Sequence, residues 1–274
     1  MTVTVSDIIH VMDQIAPPYL AENWDNAGLQ IGDHRWPVRT VAVALDPSRQ
    51  VIEEACDKKA DMLITHHPLI FKPLTCIDFR TSIGSIIKKA TKHQMAIFTA
   101  HTNLDKSEGG LNDILARRIG LQDLKVLQYS NDVYPLFSFD HREGMGRVGV
   151  LKKAIELQSF ALKVKHALDL QHITFVGSPH LVITKVAVCT GSGSSLLESF
   201  YSCGAQVYIS GDLKYHDARD VEAAGLGLID VGHFPSEYLV VEELVKRLTS
   251  LFSEKQLQAE VKACNIEKDP FVVL

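Results

Sequence analysis

The feature that most constrains the fold of this chain is an internal repeat. The segment VAVALDPSRQVIEEACDKKADMLITHH begins at Val41 and aligns without a gap with VAVCTGSGSSLLESFYSCGAQVYISGD, which begins at Val186, 145 positions further on. Each copy has a short apolar run, a stretch with helical spacing and a second short apolar run, a pattern typical of buried parallel strands that flank a helix. Two unrelated units of this kind could share apolar letters by chance, so this match alone does not establish a duplication.

A second match favours duplication. One later apolar run ends at His101, with Asp105 four residues further on, and another ends at His233, with Glu237 four residues further on. A duplicated α/β module is the economical explanation, and open α/β sheets bind ligands at the carboxyl ends of their strands. The sequence therefore predicts an α/β fold with helices flanking β-sheets and a cleft shared by two halves.

The length of the chain allows each half to be a domain. With 274 residues, 46% of them hydrophobic, each half can bury a core of its own. The pattern loses regularity between about residues 121 and 149, where Ser130-Asn131-Asp132 and Pro135 predict a linker with a strand or two. We therefore predict a first α/β domain over residues 1–126 and a second over residues 127–274. A strand predicted at residues 258–264 leaves open whether the C-terminal segment packs on the first domain.

Charge, cysteines and hydropathy argue against several classes of protein. The 28 basic and 33 acidic residues give a net charge of -5, and no basic patch indicates nucleic-acid binding. The five cysteines include no C-x-x-C pair, which suits a reducing compartment. The N-terminal sequence has no basic leader, and no segment approaches the roughly 20 apolar residues that cross a bilayer. We predict an unprocessed cytoplasmic protein without a membrane partner.

The residues that point to chemistry lie where the predicted strands end. His66 and His67 stand between a buried strand and Pro68, and both imidazoles can reach one cleft only where the strand gives way to a loop. An isolated His-His pair is more often structural than a pair of ligands. The other polar residues change that interpretation, because each half also has a histidine followed four residues later by a carboxylate.

The donor types predict a pair of divalent metal ions. Imidazoles combined with carboxylates suit Zn, Fe or Mn, whereas Mg and Ca favour oxygen ligands alone. Two carboxylates can bridge ions about 3.5 to 4 Å apart, the spacing found in two-metal hydrolases. The predicted ligands are His66, His67, Asp105, His233 and Glu237. The role of His101 stays open between a ligand, a residue that orients a ligand and a group that transfers protons.

Five blocks of the sequence also carry a resemblance to a known family. They are WDNAGL from Trp24, THHPLIF from Thr65, AHTNLD from Ala100, GDLKYHD from Gly211 and GHFPSE from Gly232. In this order they resemble the signature blocks of the Nif-three-like dinuclear-metal family, the GTP cyclohydrolase I type 2 homologs. The resemblance implies two interlocked α/β domains, a toroidal homohexamer and a dimetal centre held by the five predicted ligands.

Four further residues are candidates for substrate binding. Gly191 and Gly193 lie in a turn before a predicted helix, where backbone N–H groups could hold a phosphate. The turn matches neither G-x-G-x-x-G nor a P-loop, and a plain glycine turn is the simpler interpretation. Lys72 could bind a charged substrate and His216 could support the site, although an exposed lysine and a surface histidine are the ordinary alternatives.

The leading functional interpretation is a metal-dependent hydrolase, similar to the GTP cyclohydrolase I type 2 homologs, that acts on a small molecule such as a nucleotide derivative. His101 and Glu237 are its candidate catalytic residues. The same two-metal geometry would serve a phosphatase or phosphodiesterase equally well. A third alternative is a metal-binding scaffold or regulatory protein that catalyses no reaction.

Overall fold

The computed structural model describes residues 2–129 and 142–272. The predicted linker residues Ser130-Asn131-Asp132 and Pro135 therefore lie outside the described residues. The helices are α1 (Val5–Ile15), α2 (Arg49–Asp57), α3 (Ser82–Lys92), α4 (Thr102–Lys106), α5 (Leu111–Arg118), α6 (Leu157–Ala167), α7 (Leu197–Cys203), α8 (Tyr215–Ala223), α9 (His233–Glu237) and α10 (Leu239–Glu254). The strands are β1 (Gly28–Ile31), β2 (Thr40–Ala44), β3 (Met62–Thr65), β4 (Ala96–Thr99), β5 (Gln122–Gln128), β6 (Met145–Glu156), β7 (Thr174–Val176), β8 (Val182–Ser192), β9 (Val207–Gly211), β10 (Gly227–Asp230) and β11 (Glu260–Ala263).

The chain forms two compact units. The first contains Met1–Leu104 and Val240–Leu274, and the second contains Asp105–Leu239. These limits differ from the division near residue 127 that the sequence predicts. The reasons are strand pairings: β5 pairs with β6 in the second unit, and the C-terminal β11 pairs with β2 in the first.

The first unit is built on a five-stranded sheet with the order β1-β4-β3-β2-β11. The strands β11, β2, β3 and β4 run parallel, and β1 pairs antiparallel with β4 at the edge. Parallel strands buried on both faces read as continuous apolar runs, and every residue of β3 and β4 is buried. Helices α2 and α3 cover one face, where Ile52 and Ile86 pack in the same core as Leu63.

The second unit is built on a six-stranded sheet with the order β5-β6-β8-β9-β10-β7. The strands β8, β9 and β10 run parallel, while β6 and β7 pair antiparallel on either side of them. Helix α6 packs through Phe160 on one face of this sheet, and α7 packs through Phe200 on the opposite face, beside Tyr208. Both faces of the parallel centre are therefore covered by helices.

The internal repeat is visible in the register of the strands. Val41 of β2 lies opposite Met62 of β3, and Val186 of β8 lies opposite Val207 of β9, so both partners are displaced by the 145 positions of the repeat. The predicted α/β class, with two sheets flanked by helices, is confirmed. Within residues 2–129 and 142–272, no helix is long and apolar enough to cross a membrane.

Candidate metal centre

Three histidines cluster at the carboxyl ends of β3 and β4 in the first unit. His66 and His67 follow β3, and their two successive N–H groups donate to the same carbonyl, that of Leu45, at 3.1 and 3.0 Å. Two donors on one acceptor show that the chain leaves the regular strand ladder here, so neighbouring side chains no longer point to opposite faces. The rings of His66 and His67 lie 5.1 Å apart between centroids, and that of His101 lies 5.2 and 5.8 Å from them.

Each ring of this cluster has its Nδ1 bonded to a protein acceptor. His66 Nδ1 lies 2.9 Å from the carbonyl oxygen of Ala100, His67 Nδ1 lies 2.8 Å from Asp46 Oδ1, and His101 Nδ1 lies 2.8 Å from Asp25 Oδ1. A carbonyl or a carboxylate has no proton to donate, so Nδ1 carries the hydrogen and a neutral ring has its lone pair on Nε2. Histidines that bind metals are oriented in this way.

Asp25, in the loop before β1, is the more deeply buried of the two carboxylate acceptors. Its side chain is fully buried and accepts hydrogen bonds from the backbone N–H and the hydroxyl of Thr102 as well as from His101. Burial opposes ionisation of this carboxyl, but the hydrogen bonds from His101 and Thr102 outweigh burial and lower its pKa to about 2. Asp25 is therefore an anion that fixes both the ring of His101 and the start of α4.

The C-terminal segment supports the second acceptor, Asp46. The carboxylate of Glu267 accepts hydrogen bonds from the backbone N–H groups of Leu45 and Asp46 at 2.8 and 2.7 Å. These bonds hold the turn after β2 from which Asp46 reaches His67. Pairing of β11 with β2 thus brings Glu267 to the base of the imidazole cluster.

In the second unit, α9 places an imidazole beside a carboxylate. His233 and Glu237 are four residues apart on this helix, and His233 Nε2 lies 3.0 Å from Glu237 Oε2. The other ring nitrogen, Nδ1, lies 2.8 Å from Asp212 Oδ2. Asp212 follows β9 with a φ of 52°, a left-handed conformation that Asp tolerates better than most residues. The imidazole of His233 therefore has the same kind of carboxylate partner as His67.

Gly191 makes room for the carboxylate of Glu237. It follows Thr190 near the end of β8 with a φ of 63°, and a Cβ at this position would lie 2.1 Å from Glu237 Oε1. The N–H of Gly191 also donates to Ser236 Oγ at 2.9 Å, and that hydroxyl donates to the carbonyl of His233 at 2.7 Å. The glycine turn is thus a close backbone approach to α9, which is one of the uses of glycine in proteins.

A buried amide connects this turn to the helix that carries Asp105. Asn112 has no exposed surface; its Nδ2 donates to the carbonyl of Asp105 at 3.0 Å, and its Oδ1 accepts from the N–H of Thr190 at 3.0 Å. Asp105 and Glu237 are both buried. Asn112 therefore fixes the backbone of one predicted carboxylate ligand relative to the turn that contacts the other.

A buried ion pair between Arg147 and Asp113 lies near these residues in the second unit. The guanidinium of Arg147 lies 2.7 Å from the carboxylate of Asp113 and donates to the carbonyls of Ser107, Gly144 and Gly146. Ser107 directly follows α4, so this pair holds the segment beyond Asp105. The cost of burying the two charges is offset by the hydrogen bonds that Arg147 donates and Asp113 accepts.

The remaining predicted residues lie in different surroundings. Gly193 packs against β9, where a Cβ would lie 2.2 Å from Ser210 Oγ and 2.4 Å from the Tyr208 hydroxyl oxygen. Lys72 is exposed in the loop after β3. His216 is exposed on the first turn of α8, where its ring contacts that of Tyr215. Their substrate-binding roles stay predictions.

Sequence reasoning missed the three aspartates that orient histidines, Asp25, Asp46 and Asp212, and the amide of Asn112. A signal for two of the aspartates was present, because Asp46 and Asp212 each directly follow an apolar run at a predicted strand end. Asp25 lies inside the WDNAGL block that carries the family resemblance. Asn112 gave no signal, since one asparagine in a helical pattern indicates no contact.

Fold and donor residues together define an α/β protein with two sheets and a buried His/Glu cluster that could hold a metal ion. The sequence pattern of the DUF34/NIF3 family (NGG1p interacting factor 3) matches residues 3–270. This chain belongs to that family, as the five sequence blocks indicated.

Individual relatives agree over the full length of the chain. A protein of Clostridium perfringens named GTP cyclohydrolase 1 type 2 homolog is 32% identical over 97% of this chain and 98% of its own length. A protein of the same name from Bacillus subtilis is 28% identical over 100% of this chain and 99% of its own length. The crystal structure of a Bacillus cereus protein related to NIF3 covers 100% of both chains with a TM-score of 0.91 at 27% identity.

Proposed function

We propose that this protein binds two divalent metal ions, Zn, Fe or Mn, through His66, His67, Asp105, His233 and Glu237, and that it hydrolyses a small molecule. The observation that carries the proposal is the hydrogen bond at Nδ1 of each histidine among these ligands. His66 is oriented by a carbonyl, and His67 and His233 are oriented by Asp46 and Asp212. Partners of this kind fix the tautomer and raise the basicity of metal-binding imidazoles.

In the proposed reaction the surroundings of Glu237 hold its carboxylate in position. Glu237 is buried against Gly191, so its carboxylate is held in one place and shielded from bulk water. A pair of divalent ions, when bound, supplies an activated water molecule and polarises a substrate oxygen. GTP is the first substrate to test, because the relatives from Clostridium perfringens and Bacillus subtilis bear the name GTP cyclohydrolase 1 type 2 homolog.

The proposal is tested by counting metal ions and measuring turnover on the same preparations. Elemental analysis of the purified chain should find two ions, and His67→Ala and Glu237→Gln should each lower that number. His172→Ala, at an exposed position, is the control and should leave it unchanged. Loss of GTP is followed by chromatography, with a panel of phosphoesters in parallel. A chain that holds two ions and converts neither GTP nor any phosphoester would exclude the hydrolase and leave a scaffold.

We also propose that the protein assembles as a toroidal homohexamer, as the family resemblance implies. Light scattering on the purified protein should then give six times the 30.4 kDa mass of the chain. A monomer or dimer at micromolar concentration would contradict this assembly. The measurement is independent of the metal count.

A further inference from the structure

We propose that the exposed rings of Trp24 and Phe71, beside the imidazole cluster of the first unit, form a stacking site for the base of a nucleotide. The substrate class of the proposed function is thereby narrowed from a small molecule to a nucleotide. Only the placement of the reacting centre beside these rings rests on the proposed function. The rings themselves belong to the loop before β1 and the loop after β3.

Exposure is the first argument. Trp24 is 59% exposed and Phe71 is 47% exposed, although both are large and apolar. Their ring centroids lie 5.9 Å apart with 62° between the planes, and the centroid of Trp24 lies 6.2 Å from that of His101. Adjoining exposed apolar side chains beside polar groups mark ligand sites. A flat base on one of these rings meets the other at an angle, and both stacked and edge-to-face contacts are favourable.

The rigidity of the two loops is the second argument. On one side of the loop that carries Trp24, the next residue, Asp25, accepts hydrogen bonds from the backbone N–H and the hydroxyl of Thr102. Further along, Asn26 Nδ2 donates to the carbonyl of Ile70 at 2.5 Å, and Ile70 directly precedes the second ring. The rings are therefore exposed on backbones that are already fixed, and a preorganised site loses little entropy when a ligand binds.

Charge is the third argument, and it favours a nucleotide over a neutral aromatic ligand. Lys72 directly follows Phe71, and its side chain is exposed. An ammonium group next to a flat apolar surface complements a ligand that combines a ring with phosphate. Stacking on an aromatic side chain tolerates every base, since each base has a π-face. We therefore expect GTP and ATP to bind alike at this site.

The first measurement uses Trp24 as its own reporter. The full-length variant Trp36→Phe keeps Trp24 as its only tryptophan. Titration with GTP or ATP, in a buffer with a chelator that prevents turnover, should quench its fluorescence. Sodium tripolyphosphate, which has the charge but no ring, should not. In the reverse variant, Trp24→Phe, the remaining Trp36 should respond to neither nucleotide.

The second measurement is the affinity for GTP by equilibrium dialysis. Trp24→Ala should weaken binding about 5- to 150-fold, which corresponds to the loss of one contact between a base and an aromatic ring. Trp24→Phe should restore most of the affinity, because a flat ring remains. Phe79→Ala is the control: this ring is also exposed, but it lies under the ammonium group of Lys88 on α3, and its loss should leave the affinity unchanged. Far-ultraviolet circular dichroism checks that each variant is folded.

Three results would overturn the inference: Trp24 fluorescence that neither nucleotide changes, quenching by tripolyphosphate as strong as that by GTP, or equal GTP affinity after Trp24→Ala. A change in Trp24 fluorescence when the protein alone is diluted, with none on addition of nucleotide, would assign the rings to a contact between copies of the chain. Failure of the proposed function has a different signature, because it concerns the number of ions and the turnover of the unmodified chain.

Discussion

Equivalent positions in the two copies of the repeat lie at the same strand ends but have different side chains. Asp46 follows the first strand of the first copy, where the second copy has Gly191, and His67 follows the second strand, where the second copy has Asp212. Both copies nevertheless pair an aspartate with a histidine at neighbouring strand ends. In the first unit the pair spans β2 and β3; in the second it spans β9 and β10. The carboxylate–imidazole pair has therefore moved by one strand between the copies.

The position equivalent to Asp46 is a glycine in the second copy, Gly191. In the second unit the carboxylate of Glu237 lies against Gly191, near the end of β8. A side chain on Gly191 would occupy the space of that carboxylate. The first unit has three clustered imidazoles, and the second has one imidazole beside the carboxylate of Glu237.

The largest expected effect on stability concerns the buried ion pair of the second unit, Arg147 with Asp113. Arg147→Met removes the guanidinium that lies 2.7 Å from the buried carboxylate of Asp113, which we expect to cost about 3–5 kcal/mol of unfolding free energy. Urea unfolding followed by fluorescence and circular dichroism measures the change. The control is Arg142→Met, whose exposed pair with Glu108 should contribute at most about 1 kcal/mol. A loss from Arg147→Met as small as that of the control would refute the role assigned to the pair.

The second prediction concerns Gly191, where the end of β8 lies against the carboxylate of Glu237. Gly191→Ala places a Cβ on Glu237 Oε1, so we expect an overpacking cost of about 1–3 kcal/mol and weaker metal binding by the second unit. Gly225→Ala is the matched control, because its φ of 70° is equally left-handed and a Cβ there meets nothing within 4 Å. Unfolding by urea and titration with Zn²⁺ distinguish the two variants. Equal losses in both would mean that backbone strain alone explains them.

How far the sequence predicts this molecule follows from the same strand ends. The α/β class and the strands themselves were predictable, since β3 is the apolar run 62–65 that the sequence shows and the repeat preserves its register. Positions of the candidate ligands at strand ends followed from the same pattern. Pairing of Asp46 with His67 was not predictable, because it depends on which strands are neighbours in the sheet.

The limits of the two units show the same dependence on tertiary structure. The sequence predicts strands at 258–264 and beyond residue 121, and no local pattern states which sheet each strand joins. In the structure β11 extends the first sheet, and β5 forms the edge of the second.

A third prediction tests whether the displaced pairs are equivalent. Asp46→Asn and Asp212→Asn each weaken the orientation of one imidazole, and we expect each to lower the affinity for Zn²⁺ by about 10–100-fold. Isothermal titration on the metal-free chain gives both values. Glu156→Gln is the control, because this carboxylate pairs with the exposed His180 and should not influence binding. An effect from only one of the two aspartates would show that duplication preserved the geometry and not the role.

The smallest expected effect concerns the start of the helix in each repeat. Ser48 caps α2 by accepting a hydrogen bond from the N–H of Val51, and its counterpart in the second copy is Gly193. Ser48→Ala should cost about 1 kcal/mol in urea unfolding, while Ser48→Gly should cost only a few tenths. Gly193→Ser should not gain a cap, because its Cβ would meet the Tyr208 hydroxyl at 2.4 Å. Stabilisation by Gly193→Ser would show that the two helix starts are interchangeable, and the asymmetry of the copies would then be confined to the donors.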